Sequence, residues 1–337
     1  MDFGIFDHLD RNDLALRDYF EARMKFVEAY DRNGFYSYHI AEHHSTPLGM
    51  APSPTVYMAA VAQRTKNLRF GPLVFALPFY SPLRLVEEIA MVDQMSGGRV
   101  DMGFGRGASP IEMQYHGIKF EDAEPMLREG LEVVLNGLSN KRLTHHGEFY
   151  NYDDVPIEIE PFQKPHPPIW YGSSSAESAQ RAAARGLNIV NLDTPERAAI
   201  VMAAYREAWT RLRAAEPLPK LGIGRFIVVA ETDEAALEAA RRAYPKWHRN
   251  FSWLYHVHGR SPMRGERSKD FDSLRDVERK GIAGSPKTVI DYLSKQAREI
   301  GFNYLVGQFA FGDLTEKEVL TSIDLFGKHV MPALRSL

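Results

Sequence analysis

Two adjacent histidines and a glutamate stand early in the chain, where a short apolar run ends. The string is Glu42-His43-His44. An imidazole can accept or release a proton near neutral pH, and a neighbouring carboxylate can orient it. Successive side chains of a strand point to opposite faces, so Glu42 and His44 would share one face and His43 would lie on the other. The string predicts acid–base chemistry by one histidine; ordinary polar residues at a strand end are the alternative.

A second candidate is a glycine-rich turn that contains an arginine. Residues 103–108 read Gly-Phe-Gly-Arg-Gly-Ala. The spacing satisfies the G-x-G-x-x-A pattern of dinucleotide-binding proteins, but that pattern belongs to a first strand–helix turn, and this one follows the fourth predicted strand. We interpret the glycines as letting a ligand approach the backbone, while the Arg106 guanidinium binds a phosphate or carboxylate. A surface ion pair of Arg106 is the alternative.

The third candidate is the run Gly172-Ser173-Ser174-Ser175, which precedes a predicted helix. The N-terminus of a helix offers free N–H groups and partial positive charge, and three hydroxyl groups would add donors for a phosphate monoester. One serine would be enough to cap the helix. The run therefore favours an anion site over a simple cap.

Each candidate follows a predicted strand, and the hydrophobic spacing alternates between strands and helices along the whole chain. The eight predicted strands span residues 3–6, 35–41, 68–77, 100–105, 168–171, 188–191, 221–229 and 303–308. The predicted helices span residues 18–33, 54–64, 82–95, 176–185, 195–214, 234–250 and 314–330. This α/β alternation makes a parallel sheet. Without a composition break it predicts one (β/α)8 TIM barrel domain over residues 1–337, whose C-terminal rim would carry all three candidates.

Two segments depart from the strand–helix repeat and are predicted to be excursions on the rim. Residues 142–167 alternate polar and apolar side chains, which predicts a hairpin or an extended excursion before the fifth strand. Residues 251–286 mix aromatic and basic side chains. A long segment of this kind is either a lid over the site or a solvated insertion.

Composition excludes several classes of protein. The chain has 337 residues, a net charge of −3 and no long run of lysine or arginine, so no nucleic-acid or membrane partner is predicted. It has no cysteine, which excludes disulfides, cysteine-ligated metals and thiol nucleophiles. A metal site formed by His43, His44 and Asp101 is an alternative that strand alternation disfavours. With no secretory or membrane-spanning pattern, we expect a cytoplasmic protein.

Longer strings of the sequence resemble the bacterial-luciferase-like, flavin-dependent monooxygenases. They are MDFGIF, EHHSTPLG, the whole of residues 68–107, PPIWYGSSSAESAQRAAARG, GSPKTVIDYL and FGDLTEKEVLTSIDLFGKHVMP. The most specific is DQMSGGR at residues 93–99, with its spacing to Gly105-Arg106-Gly107. The resemblance implies a TIM barrel that binds reduced FMN from a separate NAD(P)H-dependent flavin reductase. It further implies reaction with O2 to a C4a-peroxyflavin, which oxygenates a small organic substrate.

The resemblance also implies roles for the candidate residues. His43 matches the catalytic histidine of the family, and Glu42 and His44 lie beside it. The predicted cofactor-binding residues are Leu73, Val74, Arg106, Gly172, Ser173, Ser174 and Ser175. Among these, Arg106 and Ser174 match phosphate-binding positions. Leu73-Val74 matches a pair that lies against the isoalloxazine ring, where the family often has a non-proline cis peptide.

Alternatives and departures remain within the family. Gly105 stands where light-emitting luciferases have a reactive cysteine, and Ser173 stands where they have a glutamate, which counts against light emission and long-chain aldehyde specificity. An F420-dependent oxidoreductase of the same fold and a noncatalytic subunit like the luciferase β chain are the other interpretations. The family forms dimers through helices two and three, so we expect a homodimer. The residues expected at that interface are Tyr57, Ala60, Val61, Arg64, Leu85, Ile89, Val92 and Met95.

Overall fold

Short strands alternate with helices in this computed structural model, which describes residues 1–261 and 268–336. The strands are β1 (Asp2–Asp7), β2 (Ser37–Ile40), β3 (Arg69–Pro72), β4 (Phe75–Ala76), β5 (Met102–Gly105), β6 (Arg142–His146), β7 (Asn151–Pro156), β8 (Ile169–Gly172), β9 (Asn188–Asn191), β10 (Leu221–Val229), β11 (Gly281–Gly284) and β12 (Tyr304–Gln308). The helices are α1 (Leu16–Arg32), α2 (Pro54–Arg64), α3 (Pro82–Ser96), α4 (Pro110–Tyr115), α5 (Ala123–Ser139), α6 (Ala176–Ala184), α7 (Pro195–Arg213), α8 (Asp233–Val257), α9 (Phe271–Asp276), α10 (Pro286–Ile300), α11 (Glu316–Leu325) and α12 (Met331–Leu334). None of the helices in these ranges is long and apolar enough to cross a membrane.

The parallel strands form one closed sheet. Their order is β3-β2-β1-β12-β10-β9-β8-β5-β4, and β11 pairs with β10. The first and last strands in this order, β3 and β4, belong to the same strand–helix unit, so the order returns to the unit in which it began. The Phe70 backbone closes the remaining gap, since its N–H donates to the Arg99 carbonyl and its own carbonyl accepts from the Asp101 N–H. The predicted (β/α)8 barrel is confirmed.

The third predicted strand, residues 68–77, is interrupted. A cis peptide bond between Leu73 and Val74 separates β3 from β4. The sequence had indicated a non-proline cis peptide at this pair, and the structure has one. The two strands pair with different neighbours, β3 with β2 and β4 with β5.

Helices α4, α5 and α10 and strand β11 were not predicted from the sequence. Helices α4 and α5 occupy much of residues 110–139, and α10 follows β11. Helix α8 was predicted to end at about residue 250, and it continues to Val257. Pro245 lies inside the helix, as it does in the predicted span. An internal proline costs a helix one backbone hydrogen bond. Packing outweighs that cost here, because buried Trp247 stacks on Phe251 at a centroid distance of 5.3 Å.

The two predicted excursions have different outcomes. Residues 142–167 contain an antiparallel hairpin of β6 and β7. Glu129 of α5 fixes its turn by accepting hydrogen bonds from the N–H groups of residues 148–150. Residues 251–286 are not one loop, because they hold the end of α8, helix α9 and strand β11. Residues 262–267 of this segment lie outside the described residues.

The interior of the barrel is filled by side chains. Trp170, Tyr304, Phe6 and Val190 pack together there and are almost inaccessible to solvent. His39 lies among them, with Nε2 2.9 Å from the Tyr304 hydroxyl oxygen. Burial lowers the pKa of His39 to about 3, so its ring is neutral. A packed interior leaves the end of the barrel as the place for chemistry.

Candidate functional site

The candidate residues follow the carboxyl ends of several parallel strands. Glu42-His43-His44 follows β2, Arg106 follows β5, and residues 172–175 end β8 and lead into α6. Parallel strands of a barrel place these ends on one rim. The contacts of the two histidines connect this rim to β1, β4 and α4, as described below.

His43 is paired with a carboxylate that the sequence reading missed. Its Nδ1 lies 3.1 Å from Oε1 of Glu112, and the two side chains are 16% and 3% exposed. The ring also stacks on His8, which follows β1, at 5.9 Å between centroids. Gly49 packs behind it, since a Cβ there would lie 2.9 Å from the His43 Cβ. Among the described residues, His43 Nε2 has no hydrogen-bond partner.

Glu112 lies in the first turn of α4. Pro110 occupies the first turn of this helix, and Ser109 caps the helix by accepting from the Glu112 N–H at 3.4 Å. A serine followed three residues later by a glutamate, with proline between them, is a helix-start pattern. That pattern could have placed Glu112 one turn beyond β5 and therefore near the rim.

His44 is paired through its other nitrogen. Its Nε2 lies 2.8 Å from Oε1 of Glu42, whose side chain is fully buried. Oε2 of Glu42 accepts from the Ala76 N–H at 3.1 Å and from the Tyr80 hydroxyl at 2.8 Å. Burial raises the pKa of Tyr80 well above its usual range, so the hydroxyl remains a donor. Glu42 is bonded to His44, and His43 has a different partner, although these residues lie after the end of β2 and not within a strand.

An aromatic cluster surrounds His44. The His116 ring meets it edge-on at 4.5 Å, and His116 stacks on Phe79 at 4.3 Å. Burial lowers the pKa of His116, and the nearby His44 lowers it further. The side of the rim next to His44 is therefore aromatic and carries a neutral His116.

Arg106 has no acidic partner among the described residues. Its guanidinium lies 4.9 Å from the ring centroid of Phe120. Within residues 1–261 and 268–336 no carboxylate lies at ion-pair distance from it, so the alternative of a surface ion pair is not met. The side chain is half-buried and can bind an anion.

The three serines of residues 173–175 differ in whether their hydroxyl groups have hydrogen-bond partners. Ser175 caps α6, with its Oγ accepting from the Ser178 N–H at 3.2 Å. The buried hydroxyl of Ser173 lies 2.8 Å from Ser178 Oγ. Ser174 is exposed, and a Cβ added to Gly172 would meet nothing within 4 Å. Of the three hydroxyl groups expected to bind an anion, only that of Ser174 has no partner in the described structure.

The glycines of β5 have a different role from the one predicted. A Cβ at Gly103 would lie 2.5 Å from the Pro72 carbonyl oxygen, and one at Gly105 would lie 2.5 Å from Val74 Cγ2. They therefore make room for the segment that contains the cis peptide, which places Leu73 and Val74 against β5. The ligand approach that we inferred from these glycines has no separate support.

The alternative metal site is not formed. Asp101 precedes β5 and so lies at the opposite end of the barrel from the histidines that follow β2. It accepts from Ser37 Oγ at 2.7 Å and pairs with Arg69 at 2.8 Å. The part of the chain that the structure describes contains no group of three side chains that could hold a metal ion.

Sequence comparison connects this arrangement to known proteins. A model of the luciferase-like monooxygenase family matches residues 1–304. The uncharacterized protein y4wF of Sinorhizobium fredii is 39% identical over 313 residues, which are 93% of this chain and 91% of that protein. The oxygenase component of the flavin-dependent trigonelline monooxygenase of Acinetobacter baylyi is 29% identical over 249 residues, 71% of this chain and 68% of that protein.

Solved structures share the fold. Monooxygenase RslO1 from Streptomyces bottropensis has a TM-score of 0.88 at 24% identity, covering 98% of this chain and 99% of that one. The oxygenating constituent of 3,6-diketocamphane monooxygenase from Pseudomonas putida, in complex with FMN, has 0.79 at 23%, covering 98% of each chain. The F420-dependent tetrahydromethanopterin reductase of Methanopyrus kandleri has 0.72 at 17%, also covering 98% of each.

These structural similarities, all below 25% identity, establish the fold alone. The family model extends over most of the chain and confirms the family that the sequence strings had indicated. The chain belongs to the luciferase-like monooxygenase family.

Proposed function

We propose that the chain is the oxygenase component of a two-component flavin-dependent monooxygenase. It would take reduced FMN from a separate NAD(P)H-dependent reductase and use O2 to oxygenate a small organic substrate. One observation carries the proposal: His43 and Arg106 follow the two strands that flank the Leu73–Val74 segment. Among the described residues, His43 Nε2 is open and Arg106 has no acidic partner. This segment would support the flavin ring, with His43 on one side and the phosphate site on the other.

The residues present fit the monophosphate end of FMN. Strands β5 and β8 are paired, so Arg106 and residues 172–175 follow adjacent strands. Together they offer one guanidinium, the Ser174 hydroxyl and the N–H groups at the start of α6, a set of donors that suits one phosphate. Gly172 leaves open space beside them. We therefore propose FMN rather than FAD, and when bound it would supply the electrons that activate O2.

His43 would move the proton that accompanies oxygenation. Its Nδ1 is engaged by Glu112, so the exchange takes place at Nε2, which is open among the described residues. General acid–base help from a positioned imidazole is worth roughly 10²–10⁴-fold in rate. Glu42 and His44 would instead hold the loop after β2 against β4, because the Glu42 carboxylate bonds to both Ala76 and Tyr80.

The test compares cofactors directly. Purified protein would be titrated with FMN, FAD and F420, and O2 uptake would be measured with a flavin reductase, NADH and a panel of small organic substrates. We expect FMN to bind most tightly and substrate to raise product-coupled O2 uptake above the reductase background. Tighter binding of F420, with hydride transfer and no O2 uptake, would instead assign the chain to the F420-dependent branch.

A further inference from the structure

The two histidines of the rim are held by carboxylates through opposite ring nitrogens. Glu112 lies against Nδ1 of His43, and Glu42 lies against Nε2 of His44. A carboxylate accepts a hydrogen bond, so each pair puts the proton of the neutral ring on the nitrogen that faces the carboxylate. His43 then carries its proton on Nδ1 and offers the lone pair of Nε2, whereas His44 offers Nδ1.

The two carboxylates also differ in what else they bind. Glu42 has two further donors, Ala76 N–H and the Tyr80 hydroxyl, and belongs to the packing of the loop. Glu112 is 3% exposed, and within the described residues His43 is the only side chain bonded to its carboxylate. The backbone of α4 is held separately, by the Ser109 cap. The described hydrogen bond of the Glu112 carboxylate is therefore the one with the His43 ring.

Two titratable side chains of the described residues contact the His43 ring. His8 faces one side of the ring, nearly parallel at 17°, and Glu112 faces Nδ1. A proton that arrives at Nε2 leaves the Nδ1–H in its contact with the Glu112 carboxylate.

We propose that Glu112 is the positioning residue of the rim: it fixes the Nδ1–H tautomer and the ring plane of His43, so that Nε2 acts as the proton acceptor. The inference rests on the proposed monooxygenase function for its catalytic consequence. The tautomer itself can be measured without flavin or substrate.

The first measurement is 15N NMR of histidine-labelled protein without cofactor, with the His43 signals assigned by their loss in His43→Asn. We expect wild-type His43 to show the Nδ1–H tautomer and Glu112→Gln to lose this preference, because an amide N–H can donate to Nδ1. Wild-type protein with the Nε2–H tautomer, or an unchanged tautomer in Glu112→Gln, would overturn the assignment. Neither result depends on whether the chain is a monooxygenase.

The second measurement is the steady-state kinetics of substrate-coupled turnover, with kcat and KM determined separately. Glu112→Gln should lower kcat by about tenfold to a hundredfold, within the range that acid–base help is worth. KM should change little, because the substitution removes the positioning of a proton-transfer group and not a binding contact. Glu112→Asp keeps the charge and should restore part of the rate.

The control is Glu129→Gln, which removes the same charge beside His145, 3.3 Å away at the β6–β7 hairpin. It should leave kcat unchanged. If Glu112→Gln loses FMN affinity and thermal stability in proportion to turnover and keeps the wild-type tautomer of His43, Glu112 is only a structural residue. If no turnover is found in any variant while the NMR result holds, the proposed function fails and the assignment of Glu112 stands.

Discussion

The two adjacent histidines differ in the carboxylate that each one contacts. Strand alternation predicted different faces, and the structure pairs His43 with Glu112 and His44 with Glu42. The Glu42–His44 pair is bonded to β4, so its removal should lower the stability of the fold. The Glu112–His43 pair lies at the rim, so its removal should lower the rate of oxygenation.

His43→Ala should bind FMN nearly normally and lose substrate oxygenation by roughly 10²–10⁴-fold, because it removes the proton-transfer group. His44→Ala should have the milder effect on turnover. The measurements are flavin titration and product formation with a reductase. Wild-type turnover of His43→Ala, or greater damage by His44→Ala, would show that the wrong histidine has been assigned.

Arg106→Ala should weaken FMN binding by about 2 kcal/mol, the scale of a lost charged hydrogen bond. This corresponds to a roughly 30-fold rise in Kd. Ser174→Ala should weaken binding less. Ser175→Ala is the control, because this side chain caps α6 and should affect thermal stability more than flavin affinity. Identical flavin titration curves for Arg106→Ala and wild type would remove the phosphate role.

A buried carboxylate predicts a pH-dependent stability. Burial raises the pKa of Asp10 to about 6, although nearby Arg23 lowers it. Since this value exceeds the 3.8 of an exposed aspartate, the folded state holds the proton more tightly. The stability contributed by protonation is therefore present below about pH 4 and is lost as the pH rises through 6.

Asp10→Asn removes this dependence. Relative to wild type, its free energy of unfolding should improve between pH 4 and pH 7.5 by up to about 3 kcal/mol, the equivalent of a two-unit shift. The measurement is urea unfolding at both pH values. A wild-type-minus-variant difference that stays constant with pH would contradict it.

At the scale of elements, α4 and α8 meet above the rim. The Tyr115 hydroxyl oxygen of α4 lies 2.6 Å from Nε2 of His258, just beyond α8. These helices follow β5 and β10, which are separated in the barrel by β8 and β9. The contact therefore spans the end of the barrel and places the aromatic end of α8 on the same side as Glu112. Residues 251–286 were predicted to form a lid or a solvated insertion, and the first of them form the end of α8.

Breaking this contact should loosen the cover of the site. Tyr115→Phe should leave FMN affinity unchanged and raise the fraction of O2 released as hydrogen peroxide, because water would enter before the substrate is oxygenated. Peroxide yield per NADH consumed is the measurement. An unchanged yield would mean that the contact is only a surface interaction.

For the whole molecule, exposed apolar side chains on α2 and α3 predict self-association. Val56, Met91 and Met95 are 71%, 49% and 47% exposed. Most apolar residues expected at this interface, including Leu85 and Ile89, are instead buried within the chain. Large apolar side chains exposed on neighbouring helices are those that an interface between protein molecules would cover.

We expect a homodimer through this surface. Wild-type protein should scatter light as a dimer at micromolar concentration, and Val56→Glu combined with Met91→Glu should give a folded monomer by placing charge in the interface. Val277→Glu is the control, since Val277 is also highly exposed but lies after α9. A monomeric wild type would contradict the expectation.

The sequence alone determined the alternation of elements and the strand ends that carry Glu42-His43-His44, Arg106 and Gly172–Ser175. The hydrophobic period is a local property of the sequence, and the predicted spans of β9 and β10 agree with the structure at both ends.

Tertiary structure decided which side chains meet. Glu112 reaches His43 from 69 positions away, a pairing that no local pattern encodes. The hydroxyl groups of Ser173 and Ser175 are bonded to Ser178, which leaves that of Ser174 available. These outcomes depend on contacts between distant segments, whose energies exceed the local preferences that a sequence displays.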